Sequence, residues 1–122
     1  MDFRSQCPVA SALDIFGDKW TLVMMRNILV GSKRYGDQLK FSEKISTNIL
    51  ADRLALLLRE GLITATPYQT NPVRHEYRLT RKGADLLPVL QAMARWSVKH
   101  LPGRAAPPEW FVKARSEDYY PL

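Results

Sequence analysis

The chain of 122 residues holds a single cysteine, Cys7, and only two histidines, His75 and His100. One thiol excludes an internal disulfide framework, and no Cys/His cluster has metal-ligand spacing. No apolar run approaches the roughly 20 residues needed to span a bilayer, and the opening stretch MDFRSQCPVA has no apolar core of signal-peptide length. Glycine is scarce, at six, and none belongs to a phosphate-cradling loop. No Ser-His-Asp set suggests itself, so an enzyme is not expected. Acidic residues are the minority, 12 against 18 Lys plus Arg, which gives a net charge of +6 and a pI near 9.7. That balance favours an anionic partner such as nucleic acid or a membrane surface. With no spanning or targeting segment, the expectation is a cytoplasmic protein with no cofactor, no metal and no membrane association.

What is present is the composition of a folded domain. With 46% hydrophobic and 25% charged residues, the chain has enough apolar material for one core and too much for a disordered segment. Pro8 at a first helical position and Gly17 as a stop frame one helix, and Asp18 is the expected N-cap of a second, KWTLVMMRNILV, closed by Gly31. That helix is apolar nearly all round and should be deeply buried. After Ser32-Lys33-Arg34 comes YGDQLKF, long enough for about two turns, then the turn Ser42-Glu43-Lys44.

The stretch KISTNILADRLALLLREGLI follows. Ser46 caps a helix to Glu60 that stops at Gly61, with Leu50, Leu54, Leu57 and Leu58 as its core stripe and Asn48, Asp52, Ala55 and Arg59 opposite. The period then changes. LITATPY and RHEYRLT, joined by the turn residues QTNPV, predict a β-hairpin, with Pro67 marking an edge or a bulge. Thr80 caps a last long helix, RKGADLLPVLQAMARWSVKHL, which Pro88 should kink or weaken in its first turns. The expected division is a domain over residues 1–102 and a C-terminal tail over 103–122, either a docked arm or disordered.

A short helix, a tight turn, a longer helix and a hairpin, in that order, describe a helix-turn-helix followed by a wing. The fold class is therefore mainly α with one small β-hairpin. In such a motif the second helix presents its N-terminal residues to base edges, which requires them to be short and polar. Ser46, Thr47 and Asn48 meet that requirement, with Asp52 one turn further on. Asn pairs bidentately with adenine, and a Thr methyl packs on the thymine methyl. Lys33, Arg34, Lys40 and Lys44 lie where a phosphate clamp belongs. Arg53 either reaches a phosphate or braces the motif internally. Asn71, Arg74 and His75 at the hairpin tip either reach a minor groove or flanking phosphate, or stay on the strand face with Arg74 and Arg78 paired to Glu76. The bland alternative for the tip is that Ser and Asn are simply good caps.

The segments CPVASALDIFGDKWTLVMMRNILVG, KRYGDQLK, ISTNILADRLALLLREGLI and NPVRHEYRLTRKGADLLPVLQAMARW together resemble the HxlR-type winged helix-turn-helix regulators of bacteria, from Cys7 to about Trp96. The resemblance implies a homodimer joined through its first and last helices, bound to double-stranded DNA at an inverted repeat, and acting as a repressor. By it, Arg34 and Tyr35 open the first helix of the motif, and Ser46 to Arg53 cover its reading portion. The chain departs from the family's usual P-P-V/R-x-E-Y at the wing, where it reads NPVRHEY, and the tail after Pro102 has no usable counterpart.

Cys7 sits at or next to the N-cap of the first helix, where a thiolate is stabilised and Arg4 adds positive charge. In relatives that the chain resembles, a cysteine at this CP position senses electrophiles or oxidants; otherwise it is a small residue packed under the dimer helix. Trp20 and Trp96, with Met24, Met25 and Met93, either line a small-molecule effector pocket at the dimer interface or belong to the core. The rival reading from another class is a winged-helix protein-interaction module without specific DNA binding.

Overall fold

The computed structural model describes residues 2–122. Its elements are α1 (Pro8–Phe16), α2 (Thr21–Leu29), α3 (Tyr35–Gln38), α4 (Thr47–Arg59), β1 (Ile63–Thr70), β2 (Val73–Leu79), α5 (Arg81–Ala84), α6 (Leu87–His100), α7 (Glu109–Lys113) and a 3-10 turn (Ser116–Tyr119). No helix among the described residues is long and apolar enough to cross a membrane.

Each boundary has a local cause. Asp18 is not the N-cap it was expected to be: α2 begins at Thr21 with Trp20 at the cap, and Asp18, two residues earlier, closes the preceding turn by accepting from the N–H groups of Trp20 and Thr21 at 2.9 and 3.0 Å. Ser46 Oγ accepts from Ile49 N–H at 3.2 Å and starts α4. At the other end Gly61, at φ +70°, lets Leu62 N–H reach back to Leu57 C=O while Gly61 N–H bonds Leu58 C=O, which closes a Schellman motif. Leu62 thereby lands on Leu57, and the helix hands its stripe directly to the sheet.

The core is built from Met24, Met25 and Leu29 of α2, Leu50, Leu54 and Leu57 of α4, Leu62 and Ile63, Leu79, and Leu87 and Leu90 of α6. Burying side chains of this size stabilises by about 1.5–3 kcal/mol each. The stripe of α4 needs one correction: Leu58 is 40% exposed, and Leu56 is buried instead. The 3.6 period favours Leu58, which lies nearer the Leu50-Leu54-Leu57 line; Leu56 is buried on another side of the helix, outside the main core cluster.

Strands β1 and β2 pair antiparallel, Ile63 opposite Leu79 through Thr70 opposite Val73. The register slips between Pro67 and Gln69, so the bulge expected beside Pro67 is there and Tyr68 is the extra residue. The strands run closer to the tip than expected and leave only Asn71-Pro72 as the loop. A third short segment joins the sheet: Arg34 bridges Glu76, and Tyr77 N–H donates to Lys33 C=O at 2.6 Å.

The long last helix is two helices. It breaks at Asp85 and Leu86, and Pro88 lies in the first turn of α6, where its missing N–H costs nothing. Gly83 in α5 lies so close to the Leu62 carbonyl that a Cβ has no room. The piece expected to make two turns after Arg34 is likewise a single turn, α3, followed by non-helical turns.

The tail is a docked arm. Phe111 is buried in the core cluster, and Gln91 Nε2 donates to the carbonyls of Phe111 and Ala114 at 2.9 and 2.8 Å. Tyr120 closes the arm over the α5–α6 joint by donating its hydroxyl to Asp85 and packing under the Arg81 guanidinium.

Candidate nucleic-acid interface

Helix α4 stands on its leucines with its N-terminal end in solvent. Ser46, Thr47 and Asn48 are exposed, as are Ala51, Asp52 and Ala55 on the same outward side. Small or short side chains therefore cover the whole accessible face of the first two turns. Tyr35 of α3 donates its hydroxyl to Thr47 C=O at 3.3 Å, so the tip is tied to the helix before it.

A polar network holds α2, α3 and the intervening turn in register. Asn27 Nδ2 donates to Gln38 Oε1 at 2.8 Å, and Gln38 Nε2 donates to Met24 C=O, all three residues being buried. Arg26 donates to Asn27 Oδ1 and forms a two-pronged pair with Glu43 at 2.8 and 3.0 Å. Satisfied on each side, such a network fixes geometry, whereas one missing member leaves a buried polar group orphaned. The hydrogen bonds from Arg26 hold the Glu43 carboxyl below its ordinary range. Asp37 is also held low, by the N–H groups of Lys33 and then Arg34, the two bonds that start α3. Burial pushes Asp18 upward, but the Thr21 hydroxyl, the Trp20 and Thr21 N–H groups and Arg53 together bring it down.

The predicted cations divide into two sets. Lys33 and Lys44 are exposed and form no ion pair among the described residues, and Lys40 is exposed with a loose contact to Asp37 at 3.7 Å. Lys44 has a left-handed backbone, φ 57°, in the tight turn directly before the α4 cap. Arg34 and Arg53 are engaged internally. Arg34 pairs with Glu76 at 3.4 Å and lies 3.7 Å over the Tyr68 ring, which ties the wing to the start of α3. Arg53 reaches Asp18 at 3.4 Å and Asp52 at 2.9 Å, so of its two readings the internal brace is the one the geometry displays.

At the wing Asn71 and Arg74 are exposed and His75 is half-buried. Arg78, not Arg74, contacts Glu76, at 3.8 Å. Among the described residues no group of three or more His, Cys, Asp and Glu side chains is placed to hold a metal ion. Cys7 is exposed at the N-cap of α1, but the nearby Arg4 is committed to Asp14 at 2.9 Å. The five residues considered for an effector pocket separate: Met24 and Met25 are core, Trp20 packs half-buried against it, and Met93 and Trp96 project from α6.

The sequence reading missed Tyr68, Asn27 and Gln38, and it named Glu76 without its nearer partner, Arg34. Asn27 and Gln38 did carry a signal, an amide set in an otherwise apolar or tightly turned stretch. Nothing local marks Glu76 as the partner of an arginine 42 positions earlier.

A short helix, a turn, a polar-tipped helix seated on leucines and a two-stranded wing make this a winged helix-turn-helix protein. The chain belongs to the HxlR-like helix-turn-helix family, which matches residues 15–104. It is 38% identical over 100 residues to the HTH-type transcriptional regulator Mb3122 of Mycobacterium bovis, a stretch that covers 82% of this chain and 63% of that one. The chain thus spans less than two thirds of the length of that relative. Among solved structures it is similar to PA1607, described as a candidate transcription factor, with a TM-score of 0.75, 33% identity, and coverage of 98% of this chain and 90% of that one. It is also similar to the redox regulator HypR in its oxidized form, with a TM-score of 0.69, 29% identity, and coverage of 77% and 97% respectively.

Proposed function

We propose that the chain is a transcriptional regulator that binds an inverted-repeat operator as a homodimer, one α4 tip per half-site, and represses the genes beside it. The observation that carries this is the exposed polar tip Ser46-Thr47-Asn48, held above buried leucines and followed outward by Asp52. Lys33, Lys40 and Lys44 act as the phosphate clamp. Arg34 and Arg53 are assigned to bracing. Asn71, Arg74 and His75 carry the wing to the flanking groove. Apolar residues left in solvent on α1 and α6, Val9, Leu13, Met93 and Trp96, support dimerisation through the first and last helices.

The test is selection of bound fragments from random DNA, with the winner compared with random duplex at two salt concentrations. A specific regulator yields an inverted repeat with half-sites roughly 34–36 Å apart or a multiple. Its affinity should exceed that for random sequence by at least about a thousandfold. Weak, sequence-blind binding overturns the proposal and leaves a protein-interaction module in its place.

A second reading concerns Cys7, favoured by its exposure at the α1 N-cap and by the likeness to a redox regulator. In this reading, oxidation links Cys7 to the partner copy or to a small thiol and changes DNA affinity. Diamide treatment with intact-mass and gel-shift readouts tests it. Affinity unchanged after complete modification, or the same response in Cys7→Ser, removes Cys7 from regulation.

A further inference from the structure

Between the outer edge of β2 and the docked tail lies an open cleft of about 520 Å³. That size lies within the range of small-molecule sites, roughly 300–1,000 Å³. Ile28 and Leu79 give it aliphatic surface, Tyr77, Tyr119 and Tyr120 give it aromatic surface, and Lys33 and Arg78 bring positive charge. Pro121 and Leu122 complete the lining, and no acidic side chain among the described residues belongs to it.

Both flanks are fixed before any ligand arrives. Tyr77 is tied through its N–H to the Lys33 carbonyl, and Tyr120 is held between the Asp85 carboxylate and the Arg81 guanidinium. Preformed walls reduce the ordering cost of binding. The cations are available in a way that others nearby are not. Lys33 has no ion pair among the described residues, and Arg78 has only the distant edge of Glu76, whose nearer partner is Arg34. A guanidinium offers parallel N–H donors that match a carboxylate, and an ammonium adds a point charge beside it.

We propose that this cleft is a binding site for a small aromatic carboxylate, its ring among the tyrosines and its carboxylate against Arg78 and Lys33. The occupant touches the end of α2, the segment leading into α3, the root of the wing and the tail at once.

The test is calorimetric or NMR titration of the full chain, without DNA, using benzoate and 2-naphthoate, with benzyl alcohol as the neutral counterpart of benzoate. The expected result is saturable binding of at least one acid. Benzoate or 2-naphthoate should bind about tenfold or more tightly than the alcohol, the scale of a charge-assisted pairing. The double variant Lys33→Gln, Arg78→Gln should lose that preference, and because both side chains are exposed its far-UV circular dichroism should match the parent. The proposal is overturned if neither acid binds saturably, if acid and alcohol bind alike, or if the folded double variant keeps the full affinity. Because no DNA is present, these outcomes are independent of the operator proposal.

Discussion

Helices α4 and α6 are 13 and 14 residues long, and each buries one side and leaves the other uncovered, yet the uncovered sides are chemically opposite. On α4 the outward residues are Thr47, Asn48, Ala51, Asp52 and Ala55, which water solvates well. On α6 they include Met93 at 48% exposure and Trp96 at 59%, with Val98 and Leu101 nearby. A helix tip that reads bases must be at ease in water until DNA displaces it, while a large apolar stripe in water marks a surface that another protein covers. Under the proposed function the contrast corresponds to two partners for one small domain, and it can be broken experimentally at either helix.

The largest effect is expected at Trp96. Trp96→Glu should weaken self-association by about a hundredfold or more, as for an aromatic anchor at an interface. Sedimentation measures this, and an unchanged association constant would show that α6 is not the dimer face. Beneath α4, Asn27→Ala orphans Gln38 and removes an acceptor from Arg26. It should destabilise folding by about 2–3 kcal/mol in urea titrations while the outer face of α4 stays unaltered.

At the tip itself, Asn48→Ala should cost about 1–3 kcal/mol at the selected operator and less on random duplex. Equal losses on both would reduce Asn48 to a solvated helix residue. Lys44→Ala should weaken binding to both and shallow the log–log salt slope by about one unit, the share of one phosphate. A slope that does not move takes Lys44 out of the clamp.

The smallest effect is with acid. Glu43 and Asp37 have folded-state values below the ordinary carboxylate range, so their contributions are present above that range and are lost as pH falls through the depressed values. Stability should therefore decline below about pH 4. In Arg26→Gln, which removes the main cause of the Glu43 shift, the decline should be shallower. An identical acid profile would show that the pair does not contribute.

Where the chain's physics is local, it could be read directly. The Leu50, Leu54 and Leu57 positions of the leucine period, Ser46 as a cap, Gly61 as a stop and the bulge beside Pro67 each depend on a few neighbouring residues, and each is present in the structure. The break at Asp85–Leu86 was less legible, because Pro88 permits either a kink or a restart and only packing decides. The cations were the least legible. An arginine in or before a helix of this kind looks the same whether it faces a phosphate or a carboxylate; the carboxylate that holds Arg34 comes from β2, and Arg53 adds Asp18, from the segment before α2, to its neighbour Asp52. The tail was undecided for the same reason, since the pocket that takes Phe111 is assembled from distant elements.

The bond between Arg34 and Glu76, with Tyr68 beneath the guanidinium, gives the molecule a fixed gauge. It ties the wing to the start of α3, and so to the α4 tip through the Tyr35 hydroxyl on Thr47. Under the proposed function, a duplex contacted by both would have to offer two grooves at that spacing, and one with a wider or narrower groove would meet only one of them. On that reading the protein would measure as well as read: base pairs it never touched would count through the shape they impose, and loosening a single arginine would turn a calliper into a hinge.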